Sequence, residues 1–236
     1  MPVKGIRVTT LVDNCVGRID LMGEHGSSMF IESGDSAVLL DCGQTALVLR
    51  NAKKLGVDLA RVQAIVLSHG HVDHTGGLGP VLRYLRDAGC RVTVYAHPNA
   101  LEAKYSEEEG RLRSIGIKLK PERIRRLGAE LVISTKPLEV APGVWTSGEI
   151  PRDQGPEAGD KKFRARRDSC LCEDHLPDDQ FVWAAVPGGT AVICGCCHAG
   201  LENSLSHAIR LSGDSNLRLV AGGLHLLKRE ESELES

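Results

Sequence analysis

Aromatic residues and net charge are both scarce in this chain of 236 residues. Phe, Trp and Tyr together make up 3% of the sequence. The 29 Lys and Arg residues nearly balance the 31 Asp and Glu residues, which gives a formal net charge of −2. Nucleic-acid-binding proteins usually carry a basic excess, so this balance argues against a nucleic-acid partner.

Long apolar runs are also missing. No window approaches the roughly 18 consecutive apolar residues that a membrane-spanning helix needs. The opening segment MPVKGIRVTT lacks the apolar stretch of a secretory signal. We therefore expect a cytoplasmic protein without a membrane partner. Because cytosolic thiols stay reduced, we expect the 8 Cys residues to be core residues, ligands or reactive groups rather than disulfides.

What the sequence does contain is a regular alternation of strand and helix patterns. Short apolar runs predict strands at 6–12, 28–32, 37–40, 62–67, 91–96, 130–134, 144–147, 181–186, 190–194 and 217–220. Apolar residues at helical spacing predict helices at 48–55, 78–85 and 201–209. This alternation is typical of a layered α/β domain, which we expect to span 1–236.

Three segments carry no such pattern. Residues 103–128 mix basic and acidic residues with few apolar positions, and we expect a solvated helical excursion there. Residues 151–174 are polar, and we expect a mobile loop. Residues 229–236 are mostly charged, and we expect a frayed tail.

Three imidazoles and a carboxylate lie directly after the predicted strand 62–67. The run reads His69-Gly70-His71-Val72-Asp73-His74. Imidazole and carboxylate ligands together suit zinc, manganese or iron. In an extended segment, residues i and i+2 point the same way, so His69 and His71 can bind one ion. Asp73 and His74 lie nearer the following helix and can face a second ion about 3.5–4 Å away.

Other histidines must complete such a site, because metal sites use at least three protein ligands per ion. His198 follows the strand 190–194, and His225 follows the strand 217–220. Both lie at strand ends, where an α/β sheet gathers its ligands. For His25, which lies in a Gly-rich loop, a functional role and a structural role are both open. Structural roles are expected for His97, His175 and His207.

The run His-x-His-x-Asp-His after an apolar strand resembles the signature of the metallo-β-lactamase superfamily. This resemblance implies a four-layer αββα sandwich with a metal site at one edge of the sheets. It also implies that Asp41 orients the metal-binding loop. The first ion is then predicted to be bound by His69, His71 and His198. The second is predicted to be bound by Asp73, His74 and His225, with Asp73 and His74 also catalytic.

Zinc, as one ion or two, is the first choice of metal, followed by manganese or iron. Several segments resemble one branch of the superfamily, that of the archaeal dihydropterin–ribofuranosylaminobenzene phosphate synthases of methanopterin biosynthesis. They are Val12-Asp13-Asn14, Glu24-His25-Gly26, Ser68-His69-Gly70-His71, Ser147-Gly148-Glu149-Ile150-Pro151-Arg152, Cys197-His198-Ala199-Gly200 and Gly222-Gly223-Leu224-His225-Leu226. Members of this branch also occur where methanopterin is not made, so the branch does not fix the substrate.

One strand end departs from the superfamily pattern. Most superfamily hydrolases carry an Asp that bridges the two metals, whereas this chain reads Cys194-Gly195-Cys196-Cys197-His198. A Cys196 thiolate could ligate or bridge, or water could bridge instead, and we place Cys196 beside the ligands. Glu149 is a candidate replacement carboxylate. A separate zinc site is a further alternative for Cys170, Cys172, Cys194, Cys196 and Cys197, and Cys15, Cys42 and Cys90 are expected to be buried.

The predicted function is metal-dependent hydrolysis of a phosphoester, pyrophosphate or related polar bond. Two ions polarise a phosphoryl oxygen and lower the pKa of water toward ~7. If the branch resemblance holds, the ions instead bind a departing diphosphate while an aromatic ring carbon attacks a pterin methylene. The substrate is expected to be a phosphorylated small molecule, with His25, Glu149, Lys162 and Arg164 as candidate contacts.

Three alternatives remain open from the sequence. An iron-dependent oxygen or nitric oxide reductase can have this fold, although such enzymes usually have Glu where His71 stands and bring a flavin-binding domain. A thiol-based metal or redox sensor would use the Cys clusters. A nuclease is also compatible with the fold, but the charge balance argues against it.

Overall fold

The structure is a computed structural model that describes residues 3, 5–155, 157 and 161–226. The strands in those residues are β1 (Arg7–Val12), β2 (Ser28–Ser33), β3 (Ser36–Leu40), β4 (Val62–Val66), β5 (Val92–Ala96), β6 (Ala103–Glu108), β7 (Arg111–Ser114), β8 (Ala129–Ile133), β9 (Glu139–Ala141), β10 (Val144–Thr146), β11 (Phe163–Arg167), β12 (Cys170–Glu173), β13 (Phe181–Val186), β14 (Gly189–Cys194) and β15 (Leu217–Gly222). The α-helices are α1 (Leu47–Leu55), α2 (Val72–Thr75), α3 (Leu78–Asp87), α4 (Pro121–Arg126) and α5 (Leu201–Ser212). Short 3-10 helices lie at Leu59–Arg61 and Pro98–Leu101.

Two large sheets form the centre of the fold. The first has six strands in the order β1-β2-β3-β4-β5-β8, and β3, β4, β5 and β8 run parallel to one another. The second has five strands in the order β15-β14-β13-β10-β9, in which β14 and β15 are parallel. Their facing surfaces pack through one apolar cluster, which includes Ile31, Val38, Val66, Val182 and Ile193. Burial of these side chains holds the two sheets together.

Helices cover the outer face of each sheet. Apolar residues of α1, α3 and α4, such as Val48, Leu82 and Ile124, pack against the first sheet. Ala208 of α5 packs against the second sheet. The helical spacing predicted from the sequence is confirmed, and α1 ends where Gly56 adopts the left-handed conformation with φ 70°. The predicted four-layer αββα architecture is therefore confirmed.

A third sheet is formed by two segments in which the hydrophobic pattern predicted no strands. Its order is β12-β11-β6-β7. The segment 103–128 contains β6 and β7 before the short helix α4, so the expected helical excursion is wrong for most of its length. The segment 151–174 contains the hairpin β11–β12 over residues 163–173, so the expected mobile loop is wrong for that part. Residues 156, 158–160 and the expected frayed tail 229–236 lie outside the described residues.

The strands of the third sheet were not predicted because of the kind of side chains that they bury. The buried positions of β6 are Lys104 and Ser106, and the buried position of β11 is Ala165. None of them is a large apolar residue, so the period of two that marks a strand is missing from the hydrophobic pattern.

All eight cysteines are free thiols. Cys42 is buried and Cys90 is partly buried, but Cys15 is exposed, so the prediction of a buried Cys15 is wrong. Cys15 lies in the irregular segment between β1 and β2, outside the strands whose side chains form the core. Among the described residues, no helix is long and apolar enough to cross a membrane.

Candidate metal centre

The predicted metal ligands and Asp41 meet at one edge of the two sheets. Asp41 follows β3, and the loop containing His69 and His71 follows β4. His198 and His225 follow the parallel strands β14 and β15 of the other sheet. The carboxyl ends of parallel strands lie at the same edge, which is why residues far apart in sequence converge there.

His69, His71 and His198 form a compact, buried cluster. The ring centroid of His69 lies 4.5 Å from that of His71 and 4.8 Å from that of His198. The rings of His71 and His198 are 5.4 Å apart. One ring nitrogen of each residue lies within 4.8 Å of the others. The structure thus brings together the three residues predicted to bind the first ion.

The unpaired ring nitrogens of this cluster test whether it suits a metal. The Nε2 atoms of His69 and His71 and both ring nitrogens of His198 are buried without a hydrogen-bond partner among the described residues. Burying a polar atom without a partner is costly, and a cation coordinated by one nitrogen of each ring would satisfy that nitrogen. The donor set therefore fits a metal ion.

The protonation states also suit metal binding. Burial lowers the pKa of His71 to about 4 and holds the pKa of His69 and of His198 well below its ordinary value. The three imidazoles are therefore neutral at pH 7, which is the form that coordinates metals.

Asp41 orients two of the predicted ligands. Its carboxylate accepts hydrogen bonds from Ser68 N at 2.7 Å and Ser68 Oγ at 2.6 Å, and it lies 2.6 Å from His74 Nδ1. Ser68 Oγ also lies 2.9 Å from His69 Nδ1. With their Nδ1 atoms engaged, His69 and His74 keep Nε2 for the centre, which is the arrangement of outer carboxylates in metal sites.

His74 differs from the other histidines of the cluster in the direction of its pKa shift. Burial disfavours its protonated form, but the charge and hydrogen bond of Asp41 outweigh this and hold the pKa of His74 well above its ordinary value. The ring of His74 lies 4.3 Å from that of His69, so it belongs to the same cluster.

The residues predicted to bind the second ion surround the same centre, together with Cys196. Asp73 Oδ2 lies 3.6 Å from His74 Nε2. The ring of His225 lies 4.9 Å from that of His198. Cys196, His198 and His225 each present a donor atom within 4.8 Å of the others. The second grouping at this edge therefore contains a thiol that the sequence analysis placed only beside the ligands.

Close backbone packing fixes the metal-binding loop. A Cβ at Gly70 would lie 2.3 Å from the carbonyl oxygen of Ala100, so only glycine fits there. The Gly70 amide donates to Asp178 Oδ2 at 2.7 Å, and the Val72 amide donates to the carbonyl of Ile115 at 2.7 Å. The loop is thus held from the side of the third sheet.

A buried ion-pair network behind this loop was missed by sequence reasoning. Lys104 Nζ lies 2.6 Å from Asp174 Oδ2 and 2.9 Å from Asp178 Oδ1, and all three side chains are fully buried. Burial opposes ionisation of Asp178, but the Lys104 charge holds its pKa below the ordinary value. The adjacent acidic pair Asp178-Asp179 just before β13 was the only sequence signal, since nothing in the sequence marks Lys104 as buried.

Asp179 and Phe163 complete the surroundings of the centre. Asp179 Oδ2 accepts a hydrogen bond of 2.7 Å from the Ala199 amide, beside His198. Burial raises the pKa of Asp179 to about 7. The Phe163 ring lies 4.8 Å from that of His71 and 5.8 Å from that of His198, so β11 forms one wall of the site.

The four candidate substrate contacts lie in different places. His25 Nε2 is 3.6 Å from Asp73 Oδ2 and its side chain is 76% exposed, which places it at the mouth of the centre. Lys162 pairs with Glu108 Oε1 at 3.0 Å, and Arg164 pairs with Glu107 Oε2 at 2.9 Å. Lys162, just before β11, and Arg164 on β11 therefore form ion pairs with β6 rather than an open phosphate clamp.

Glu149 does not replace the missing bridging carboxylate. Its Oε2 lies 3.4 Å from Nε2 of the buried His97, and Glu149 belongs to neither metal-ligand grouping found among the described residues. The structural role expected for His207 fits its position, since its Nε2 lies 3.0 Å from the carbonyl of Ser147. His175 is exposed.

The alternative five-cysteine zinc site is wrong. Cys170 and Cys172 lie on β12 of the third sheet, where Cys170 is exposed and Cys172 Sγ faces the carbonyl of Ala165 at 3.4 Å. Among the described residues, neither joins a metal-ligand grouping with Cys196.

Comparison with known proteins identifies the family. The model of the metallo-β-lactamase superfamily matches residues 21–153, which include Asp41 and the whole His69–His74 run. The chain belongs to the metallo-β-lactamase superfamily. The predicted family resemblance is thereby confirmed, and with it a superfamily whose members are enzymes that typically bind metal.

Two Methanocaldococcus jannaschii proteins match this metallo-β-lactamase-superfamily chain over almost its full length. The 7,8-dihydropterin-6-methyl-4-(β-D-ribofuranosyl)-aminobenzene-5′-phosphate synthase is 28% identical over 99% of this chain and 82% of its own. An uncharacterized protein is 31% identical over 93% of this chain and 79% of its own. Among solved structures, that of Tm1679, a metal-dependent hydrolase of the β-lactamase superfamily, superposes with a TM-score of 0.78. It is 28% identical and covers 98% of this chain and 81% of its own.

Proposed function

We propose that this protein is a metal-dependent enzyme that cleaves a phosphoester or diphosphate bond in a phosphorylated small molecule. The observation that carries the proposal is the convergence of His69, His71 and His198, with buried ring nitrogens that have no hydrogen-bond partner among the described residues. Such a cluster is costly unless a cation binds to it.

Each ligand has a role in the proposed centre. The first ion is held by His69, His71 and His198. The second is held by Asp73, His74 and His225. Zinc is the first choice because imidazole nitrogens dominate the donor set, with manganese and iron next. When bound, such ions supply polarisation of a phosphoryl oxygen and activation of water.

The residues around the ligands prepare the site for this chemistry. Asp41 fixes His74 directly and His69 through Ser68, so both rings are oriented before substrate arrives. Asp73, whose side chain is 19% exposed, and His225 are the predicted ligands with access to solvent, whereas His74 is buried. A substrate therefore approaches from the side of Asp73, past the exposed His25.

Transfer to a carbon nucleophile is the second candidate. It is favoured by the near-full-length similarity to the M. jannaschii synthase, whose product carries a 5′-phosphate. In that reaction the centre would bind a departing diphosphate while an aromatic carbon attacks a pterin methylene. The two reactions differ in whether water or an aromatic substrate accepts the cleaved group.

Elemental analysis of the purified protein, followed by activity assays, tests the proposal. We expect one or two transition-metal ions per chain, with activity on phosphodiesters, pyrophosphates or a dihydropterin-methyl diphosphate. Release of diphosphate only when ribofuranosylaminobenzene phosphate is present would select the transferase. Replacement of His69 by Ala should remove metal and activity, whereas His175→Ala, at an exposed position, should retain both. A metal-free protein that cannot be loaded would contradict the proposal.

A further inference from the structure

Three consecutive polar residues are buried directly before β13, at the sheet edge that carries the metal centre. They are Asp178, Asp179 and Gln180, which are 0%, 1% and 4% exposed. Burying polar side chains is costly unless each finds a hydrogen-bond partner. The partners of these three residues are the two turns that carry the histidines of the first ion position.

Asp178 and Gln180 hold the turn that follows β4. The Gly70 amide donates a hydrogen bond of 2.7 Å to Asp178 Oδ2. Gln180 Nε2 donates to the carbonyl of Leu67 at 2.9 Å, and the Gln180 amide donates to the carbonyl of Ser68 at 2.9 Å. These three bonds fix the backbone immediately before and after the first of the two histidines in that turn.

Asp179 holds the other turn, which follows β14. Its Oδ2 accepts a hydrogen bond of 2.7 Å from the amide of Ala199, the residue directly after His198. The turn after β14 belongs to the second sheet, whereas the turn after β4 belongs to the first. Adjacent residues of one short segment therefore contact the metal-binding turns of both sheets.

The carboxylate of Asp178 is itself fixed from the side of the third sheet. Its Oδ1 lies 2.9 Å from Lys104 Nζ, while its Oδ2 accepts the hydrogen bond from Gly70. Because the two oxygens have different partners, the carboxylate cannot rotate without losing one of them. The orientation that Lys104 imposes on Asp178 is thereby passed to the backbone of the turn after β4.

From these contacts we propose that Asp178-Asp179-Gln180 is a positioning segment, which fixes the three histidines of the first ion in their binding geometry before the ion arrives. Among the described residues, the segment belongs to neither metal-ligand grouping, so it acts through the backbone of the two turns. The proposal rests on the proposed metal-dependent function. Residues that orient metal ligands typically contribute about 10–100-fold to metal affinity.

Cobalt(II) binding tests this role without relying on activity. Metal-free protein is titrated with cobalt against a competing chelator under reducing conditions, and the visible absorption reports the coordination geometry. The signal that His69→Ala loses identifies the first ion. Asp179→Ala, which removes the acceptor of the Ala199 amide, should bind that ion about 10–100-fold more weakly and with an altered visible spectrum. Asp179→Asn keeps a side-chain oxygen that can accept this hydrogen bond, so it should restore most of the affinity.

A second variant keeps the test decisive if Asp179→Ala does not fold. Gln180→Met keeps a side chain of similar length but cannot donate to the carbonyl of Leu67, so it should weaken binding of the same ion. Leu85→Ala is the control, because it destabilises the core under α3 and should leave cobalt binding unchanged.

The outcomes separate the positioning role from the proposed function. Unchanged cobalt binding in Asp179→Ala or in Gln180→Met, or an equal loss in Leu85→Ala, would overturn the positioning role and leave the metal-dependent function standing. Failure of the unaltered protein to bind any cobalt would overturn both.

Discussion

Replacement of Lys104 by Met would leave the carboxylate of Asp178 buried without its ion-pair partner. The lost contacts are those of Lys104 Nζ with Asp178 Oδ1 at 2.9 Å and with Asp174 Oδ2 at 2.6 Å. Removing one partner of a buried ion pair typically costs ~3–5 kcal/mol. Arg167 Nη2 lies 3.5 Å from Asp174 Oδ1 and partly compensates that residue, so Asp178 dominates the loss. We expect the free energy of unfolding to fall by roughly 3–5 kcal/mol at pH 7.

Urea unfolding of the metal-free protein, followed by the fluorescence of Trp145 and Trp183, measures this change. Lys54→Met is the control, because Lys54 is exposed on α1 and such changes usually stay within about 0.5 kcal/mol. A loss below about 1 kcal/mol for Lys104→Met would show that water or a rearranged side chain neutralises Asp178, and would refute the reasoning.

The same variant should respond to pH in a defined direction. In the native protein Lys104 holds the pKa of Asp178 below its ordinary value. That stabilisation is present above the unfolded value of about 3.9 and is lost as pH falls through the folded pKa. Without Lys104, burial raises the pKa of Asp178 instead. The stability difference between the two proteins should therefore be largest near pH 7 and should shrink toward about pH 4.

Three further predictions concern the metal centre. Replacing His69 by Ala removes one of three clustered imidazoles, so elemental analysis should find no ion at the first position, with His175→Ala unaffected. Asp41→Asn weakens the orientation of His74 and should lower metal affinity about 10–100-fold in a chelator competition, whereas the exposed turn variant Asp35→Asn should not. Gly195→Ala places a Cβ 2.1 Å from Ser68 Oγ and should cost at least about 1–3 kcal/mol in thermal unfolding. Gly17→Ala, with no atom within 4 Å of its added Cβ, should be nearly neutral, and equal stability of the two variants would contradict the proposed contact.

The layered core was predictable because its residues follow simple patterns. β3 and β4 are apolar runs, and α1 and α3 repeat apolar residues at helical spacing and meet left-handed glycines at or just after their ends. The third sheet was not predictable in this way. Its buried position Lys104 is favourable only because Asp174 and Asp178, some seventy residues later in the chain, neutralise it. The hydrophobic periodicity of a sequence does not reveal such an ion pair between distant residues.

The candidate metal centre was likewise predictable from the sequence only in part. Histidines at strand ends could be recognised from the sequence because parallel strands bring their carboxyl ends to one edge. The placement of His198 and His225 beside the His69–His74 loop follows from that rule. The position of Cys196 depends instead on two glycine contacts, at Gly195 and Gly223, which only coordinates reveal. The contact between Glu149 and His97 could likewise be found only in the three-dimensional structure.

The proposed ligands of one ion come from both halves of the sandwich. His69 and His71 follow a strand of the first sheet, and His198 follows a strand of the second. An ion bound by all three would link the two sheets, so the metal supply would affect the stability of the folded protein. At a free-ion concentration 100 times the dissociation constant, such linkage adds about 2.7 kcal/mol to stability. Starvation for the metal would then lower the stability of the protein as well as its activity.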